Sequence, residues 1–182
     1  YTLADDVNML KVGTASAKAD KIADVPLMLS SMEDAQGFQM IFDWDESRAT
    51  GIDLLPADGD GEALEDAELI TTRVEDSYMI LGVVLDIDGQ DGEVIPAGQL
   101  IPVGLAQIRC DGPAQGSRET ALTLVDDKYA RVDGGPLLSN IITQGGETID
   151  ENQGLVLRDG AITCSGDEPP TTDIIFACGG PL

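Results

Sequence analysis

The sequence predicts an all-β domain, an antiparallel β-sandwich of jelly-roll type with eight to nine strands. Three observations carry that expectation. Apolar residues recur with period two along most of the chain, as on a half-buried strand. Long stretches with a 3.6-residue period are nearly absent. The 21 glycines and 9 prolines fall between the alternating runs, at turn positions.

In chain order, residues 22–29 place Val25, Leu27 and Leu29 on one face. Phe38, Met40, Phe42 and Trp44 alternate with Gln39, Ile41 and Asp43 to give a second strand with an aromatic-rich buried face. Residues 78–85 are apolar on both faces, which suits a central strand covered on each side; Ile80, Val83 and Leu85 are assigned to the core. Residues 99–110 read as a further strand, with Pro102 near its start, where an edge or bulge tolerates the missing donor. Residues 119–125, 135–143 and 154–164 supply the rest, and Asp159-Gly160 reads as a tight turn joining two short strands. Residues 61–70 read as an acidic loop with a short helical turn. The sandwich is expected over residues 1–164. A polar linker containing Pro169-Pro170 and a lone apolar strand follow over residues 165–182.

Composition excludes several function classes. The chain has 34 Asp and Glu against 10 Lys and Arg, a formal charge of −24. Such a surface repels nucleic acid and anionic membranes. With no histidine, His-based nucleophilic triads and the commonest zinc ligand sets are unavailable. No segment approaches the ~20 apolar residues of a membrane-spanning helix. The first residue is Tyr1, as expected of a chain whose leader was removed or of a piece of a longer one. The acidity suits an extracellular or saline setting where salt screens self-repulsion, so secretion to the cell surface is expected.

The order of elements resembles the opening of cohesin modules. The resemblance lies in Met9-Leu10-Lys11-Val12-Gly13, then in residues 23–29 with Val25-Pro26-Leu27, then in Gln36-Gly37-Phe38 leading to Phe42-Asp43-Trp44-Asp45. Gly82-Val83-Val84-Leu85 and Ile95-Pro96-Ala97-Gly98 fit the same scheme. The resemblance covers roughly residues 7–164 and implies a cohesin-like sandwich that docks a dockerin-like partner through a sheet face plus loops. The chain departs from cohesins in its acidity, cysteines and terminal segments. It also resembles subunits of glycan-decorated extracellular fibres of environmental bacteria.

Candidate site residues follow from residue type and spacing. Asp58, Asp60 and Glu62, and separately Asp86, Asp88 and Asp91, place carboxylates in glycine-rich loops of the kind that ligate calcium, the one cofactor considered; solvated turns have the same composition. Cys164 and Cys178 flank the linker, and pairing them closes the shortest of the three available loops. Asn8, Asn140 and Asn152 lack the N-glycosylation sequon. Thr171-Thr172 and Thr71-Thr72 are the candidate O-glycan sites. No nucleophile motif is present, and no catalytic site is expected. Ile174, Ile175 and Phe176, or Leu3, Val7 and Met9, are expected to pair with a neighbouring copy. That would make the protein a subunit of a head-to-tail filament, a homopolymer built by strand donation. The alternative is a cohesin-like module docking a partner on a cell-surface scaffold.

Overall fold

A computed structural model of the protein describes residues 7–87, 92–131 and 134–167. The first strands are β1 (Met9–Val12), β2 (Thr14–Lys18), β3 (Ile22–Ser31), β4 (Ala35–Asp43) and β5 (Ala49–Pro56). Next come β6 (Leu69–Val74), β7 (Tyr78–Val84), β8 (Gly98–Cys110), β9 (Ser117–Leu124) and β10 (Tyr129–Arg131). The last are β11 (Gly134–Leu137), β12 (Ile141–Gln144), β13 (Glu147–Ile149), β14 (Val156–Arg158) and β15 (Gly160–Ser165). One sheet has the order β14-β1-β3-β8-β5. The second runs β13-β12-β4-β9-β15-β2, with β7 also paired to β4 and β6 to β7. Between them lies one core containing Leu10, Val25, Leu27, Leu29, Phe38, Met40, Phe42, Trp44, Val83, Leu85 and Ile108. Among the described residues no helix is long and apolar enough to cross a membrane.

The alternation read from the sequence is the alternation of burial. Val25, Leu27 and Leu29 are fully buried on β3, and Phe38, Met40 and Phe42 on β4. The Trp44 ring lies 5.9 Å from that of Phe42, and its Nε1 donates to the Ala49 carbonyl at 3.0 Å. That bond satisfies the polar atom of a buried indole. Pro102 sits where the β3–β8 register shifts, between Leu27↔Gly104 and Met28↔Pro102, so the missing donor falls at a bulge.

Several elements differ from expectation. The pairing is not wholly antiparallel: β14 runs parallel to β1 and β15 parallel to β2. Asp159-Gly160 is not a hairpin turn, because β14 and β15 belong to different sheets. Here, and at Gly13 between β1 and β2, the chain crosses from one sheet to the other. The two crossings touch. The Gly13 amide donates to Pro26 O at 2.8 Å and the Ala161 amide to Gly13 O at 3.3 Å. A Cβ on Gly160 would overlap the carbonyl oxygens of Gly13 and Val12. Residues 135–143 are two elements, β11 and β12, separated at the buried Asn140. Strands β5 and β6 stand where no strand was read. The sandwich also continues slightly past residue 164: Gly166 N donates to Gly116 O at 2.8 Å and Asp167 N to Ala114 O at 3.1 Å.

Cys164 is bonded to Cys110, with a Cα separation of 5.6 Å, and this replaces the expected pairing with Cys178. Loop entropy favoured the nearer cysteine, but folding had already decided the geometry: Cys110 ends β8 in one sheet and Cys164 lies on β15 in the other. The bridge ties the two sheets together. Met9, one of the residues expected to pair with a neighbouring copy, instead pairs with Ser30 and Val156 of its own sheet, so β1 is an internal strand.

Replacing Gly160 by alanine forces two backbones apart at the crossing. Overpacking of this kind costs about 3 kcal/mol. Urea unfolding of Gly160→Ala should show that loss at unchanged m-value, and a variant as stable as the parent would contradict the crossing.

Candidate functional site

The site lies on the outer face of the second sheet, and the register determines which side chains reach it. Residues directly opposite on paired strands share a face. One row across the sheet is Thr143, Gly37, Val84 and Leu69, and the next is Ile141, Gln39, Gly82 and Thr71. Ile41, Ile80 and Arg73 follow, then Asp43 and Tyr78. The opposite faces of the same strands, with Phe38, Met40, Leu81 and Val83, build the core.

Ile41 and Ile80 point outward, yet both are buried and stand outside the inter-sheet core. Ile80 therefore differs from its expected place. The β10–β11 hairpin covers this end of the face, and its base is pinned by one side chain. Asn140 Oδ1 accepts from Ile41 N at 2.7 Å, while Asn140 Nδ2 donates to Val125 O at 3.0 Å and Asp126 Oδ1 at 2.9 Å. These bonds replace the sheet ladder where β4 changes its neighbour from β12 to β9. Further along, Arg73 Nη1 donates to Tyr129 O at 3.1 Å, and Gln39 Nε2 donates to Ser139 O at 2.8 Å. Lys128 Nζ meets Asp43 Oδ2 at 2.8 Å and Asp127 Oδ1 at 3.0 Å. Arg73 and Lys128 both approach the Tyr78 ring, at 5.3 Å and 5.4 Å from its centroid.

Among the described residues the other end of the face is open. There the sheet carries an apolar groove of about 690 Å³. Its floor is Gly37, Gln39, Gly82, Val84 and Thr143; Ala130 and Leu138 of the hairpin wall one side, and Leu69 and Ile87 stand at the other. Gly82 makes the floor concave: a Cβ built there meets nothing closer than 4.0 Å. Leu69 and Ile87 are 47% and 63% exposed, with nothing among the described residues covering them. The outer face of the first sheet also exposes Leu55 and Leu105, but Asp24, Lys11 and the Arg109–Asp111 ion pair interrupt it.

Asp58, Asp60 and Glu62, the candidate calcium set that lies wholly within the described residues, do not converge. Glu62 Oε2 accepts from Gly59 N at 2.8 Å, so this carboxylate closes its own turn, and Asp58 and Asp60 are exposed beside it. Asp86 Oδ2 likewise accepts from Gly92 N at 2.8 Å. Among the described residues no three acidic or sulfur side chains gather around one point. Asp88 and Asp91 lie outside the described residues, as do Leu3, Ile174, Ile175, Phe176, Thr171, Thr172 and Cys178. Val7 sits half-buried just before β1, and Thr71 and Thr72 lie exposed on β6. The groove itself was missed by sequence reasoning, although its signal was present in the doubly apolar residues 78–85.

Neither a family model nor a curated protein matches the chain. Solved structures do. The third ScaC cohesin of Acetivibrio cellulolyticus, solved with the ScaB dockerin, superposes with a TM-score of 0.63 at 14% identity, over 87% of this chain and 99% of that one. A cohesin from Clostridium acetobutylicum gives 0.57 at 19% identity, over 89% and 93%. The non-cellulosomal cohesin of the archaeon Archaeoglobus fulgidus gives 0.59 at 14%, over 88% and 92%. The domain has the cohesin fold. In this cohesin-like sandwich the groove and hairpin occupy one face, and the sheet crossings and the disulfide lie elsewhere.

The hairpin clamp is pH-sensitive in a defined direction. Burial pushes the Lys128 ammonium down, but hydrogen bonds to Asp43 and Asp127 outweigh it and hold the group above its ordinary value of 10.5. A raised folded value means that the contribution is complete below the ordinary value and is lost as pH climbs through the folded one. Limited proteolysis should therefore cut the hairpin increasingly above pH 10.5. Lys128→Met should show the same cutting at neutral pH, and a variant hairpin that resists cleavage there would contradict the clamp.

Proposed function

We propose that the protein is a non-enzymatic, extracellular protein-binding module that docks a dockerin-like partner on the outer face of β12-β4-β7-β6. The carrying observation is the half-covered face. β7 is apolar on both sides, with Ile80 and Val84 outward and Met79, Leu81 and Val83 in the core; the sandwich covers one side, Ile41 and Ile80 are buried beside the hairpin, and the groove next to them is left for a partner. Several solved cohesins with this fold were crystallised as complexes with dockerins, which supports a partner of that kind. The Cys110–Cys164 bridge fits an oxidising compartment.

Catalysis is disfavoured on positive grounds. Among the described residues the groups whose ionisation is clearly displaced are structural: Asp45 is lowered first by its hydrogen bonds from Ser47, and Lys128 belongs to the hairpin clamp. Against self-assembly through the N-terminal strand stands the pairing of β1 on both sides within its own sheet.

Gly82 offers the cleanest test. Its backbone does not need glycine and the space above it is open, so Gly82→Leu should fill the groove at little cost to stability. Calorimetry against a panel of dockerin modules should find binding to the parent that weakens at least about tenfold, or about 1.4 kcal/mol, in the variant. Equal affinity for both proteins, or no binding by any dockerin, would reject the proposal.

A further inference from the structure

Among the described residues the two large sheets end in five strands, and four of them carry devices that discourage pairing with another chain. β13 and β14 have three residues each. β2 ends in the exposed Lys18. β5 ends in Pro56, shifts register between Gly51 and Asp53, and turns the Asp53 carboxylate onto Leu54 N at 2.8 Å. β6 has none of these. Its six residues, Leu-Ile-Thr-Thr-Arg-Val, pair with β7 throughout without a register shift. The one charge, Arg73, is held by Glu75 at 2.9 Å.

Hydrogen-bond alternation locates the open groups. Glu75 N donates to Tyr78 O at 3.0 Å, which makes 75/78 a bonded pair. Bonded pairs recur at every second residue in an antiparallel ladder, so Arg73, Thr71 and Leu69 turn their backbone groups toward β7. Ile70, Thr72 and Val74 turn theirs outward. Val74 lies against Gly51 of β5, which leaves the N–H and C=O of Ile70 and Thr72 without a backbone partner among the described residues. Carboxylates bracket this edge: Glu65, Asp66 and Glu68 precede the strand, Asp76 follows it, and Asp53 stands on the adjacent β5, all exposed.

We infer that the open edge of β6 binds an extended, apolar segment of a partner protein, flanked by lysine or arginine, as an added strand. Backbone pairing at Ile70 and Thr72 supplies the register, and the acidic bracket selects the cationic flanks. A second copy fits poorly, since each chain carries a charge of −24 and its own apolar stretch, Ile174-Ile175-Phe176, follows Asp173. The inference concerns the outward backbone edge of β6, which borders the groove that Leu69 and Thr71 help to line, and does not rest on the groove reading.

The test is hydrogen exchange on the intact chain with a synthetic peptide, Lys-Lys-Thr-Val-Ile-Val-Thr-Val-Lys-Lys, and a control in which glutamate replaces every lysine. The Ile70 and Thr72 amides should exchange about tenfold more slowly with saturating lysine peptide and be unchanged with the control. Thr72→Pro removes one outward donor at a position where an edge tolerates proline, and should abolish the slowing. Thr72→Lys, at the same exposed site, should weaken it even if the proline variant does not fold. No slowing at β6, or equal slowing by both peptides, overturns the inference. Slowing without peptide that grows with protein concentration overturns it in favour of a second copy. Changes confined to Gly37 and Gly82 overturn it while leaving the groove reading intact.

Discussion

The close passage of Gly13 and Gly160 is the constraint on which the rest of the sandwich depends. Both ends of the described chain change sheets at that point, side by side and in the same direction. This is why β1 lies parallel to β14 and β2 parallel to β15 in an otherwise antiparallel fold. Neither crossing has room for a side chain: a Cβ on Gly13 would run into the Pro26 ring, and one on Gly160 into the opposing backbone. The two sheets are then joined covalently by Cys110 and Cys164. Closing a loop of 54 residues contributes about 4 kcal/mol in the chain-entropy account of disulfides.

With the two sheets so joined, the second one faces outward with more apolar surface than the described residues cover. Asn140 settles how much is covered. Its side chain substitutes for the strand ladder at the point where β4 exchanges β12 for β9, and the residues between β9 and β12 leave the sheet as a hairpin. Ile41 and Ile80 are buried beside that hairpin, whose Ala130, with Leu138 after it, walls the groove over Gly82 and Val84. The groove is thus the remainder of a partial covering, bounded by a clamp of Lys128, Asp43, Arg73 and Tyr78. An apolar hollow in so acidic a surface separates two requirements: the groove supplies contact area, while the surrounding charge discourages unselective association.

Strands with strict alternation were legible in the sequence because one face of each is core and the other is not: β3, β4, β8 and β9 follow directly from Val25–Leu29, Phe38–Phe42, Ala106–Cys110 and Leu122–Leu124. The failures have separate physical causes. β5 hides behind Gly51, Asp53 and a bulge, which break its period. β6 hides because its edge position leaves Leu69, Thr71 and Thr72 exposed. Asp159-Gly160 has hairpin composition, but what glycine supplies there is close approach, a tertiary fact that no local pattern carries. The cysteine pairing failed for the same reason, since loop length is local and sheet adjacency is not. Of the groove face, only the doubly apolar residues 78–85 were visible; that Gly37, Gln39, Thr143 and Leu69 join them is a consequence of register.

The proposed dockerin-like partner docks on the groove face and not on the outer face of the first sheet. Methyl spectra of labelled protein, recorded while a dockerin that binds it is titrated in, test this directly. The account predicts that the signals of Leu69, Val84 and Ile141 shift and saturate together, while those of Leu55, Leu105 and Met28 on the opposite sheet stay in place. Shifts confined to Leu55, Leu105 and Met28 would contradict it.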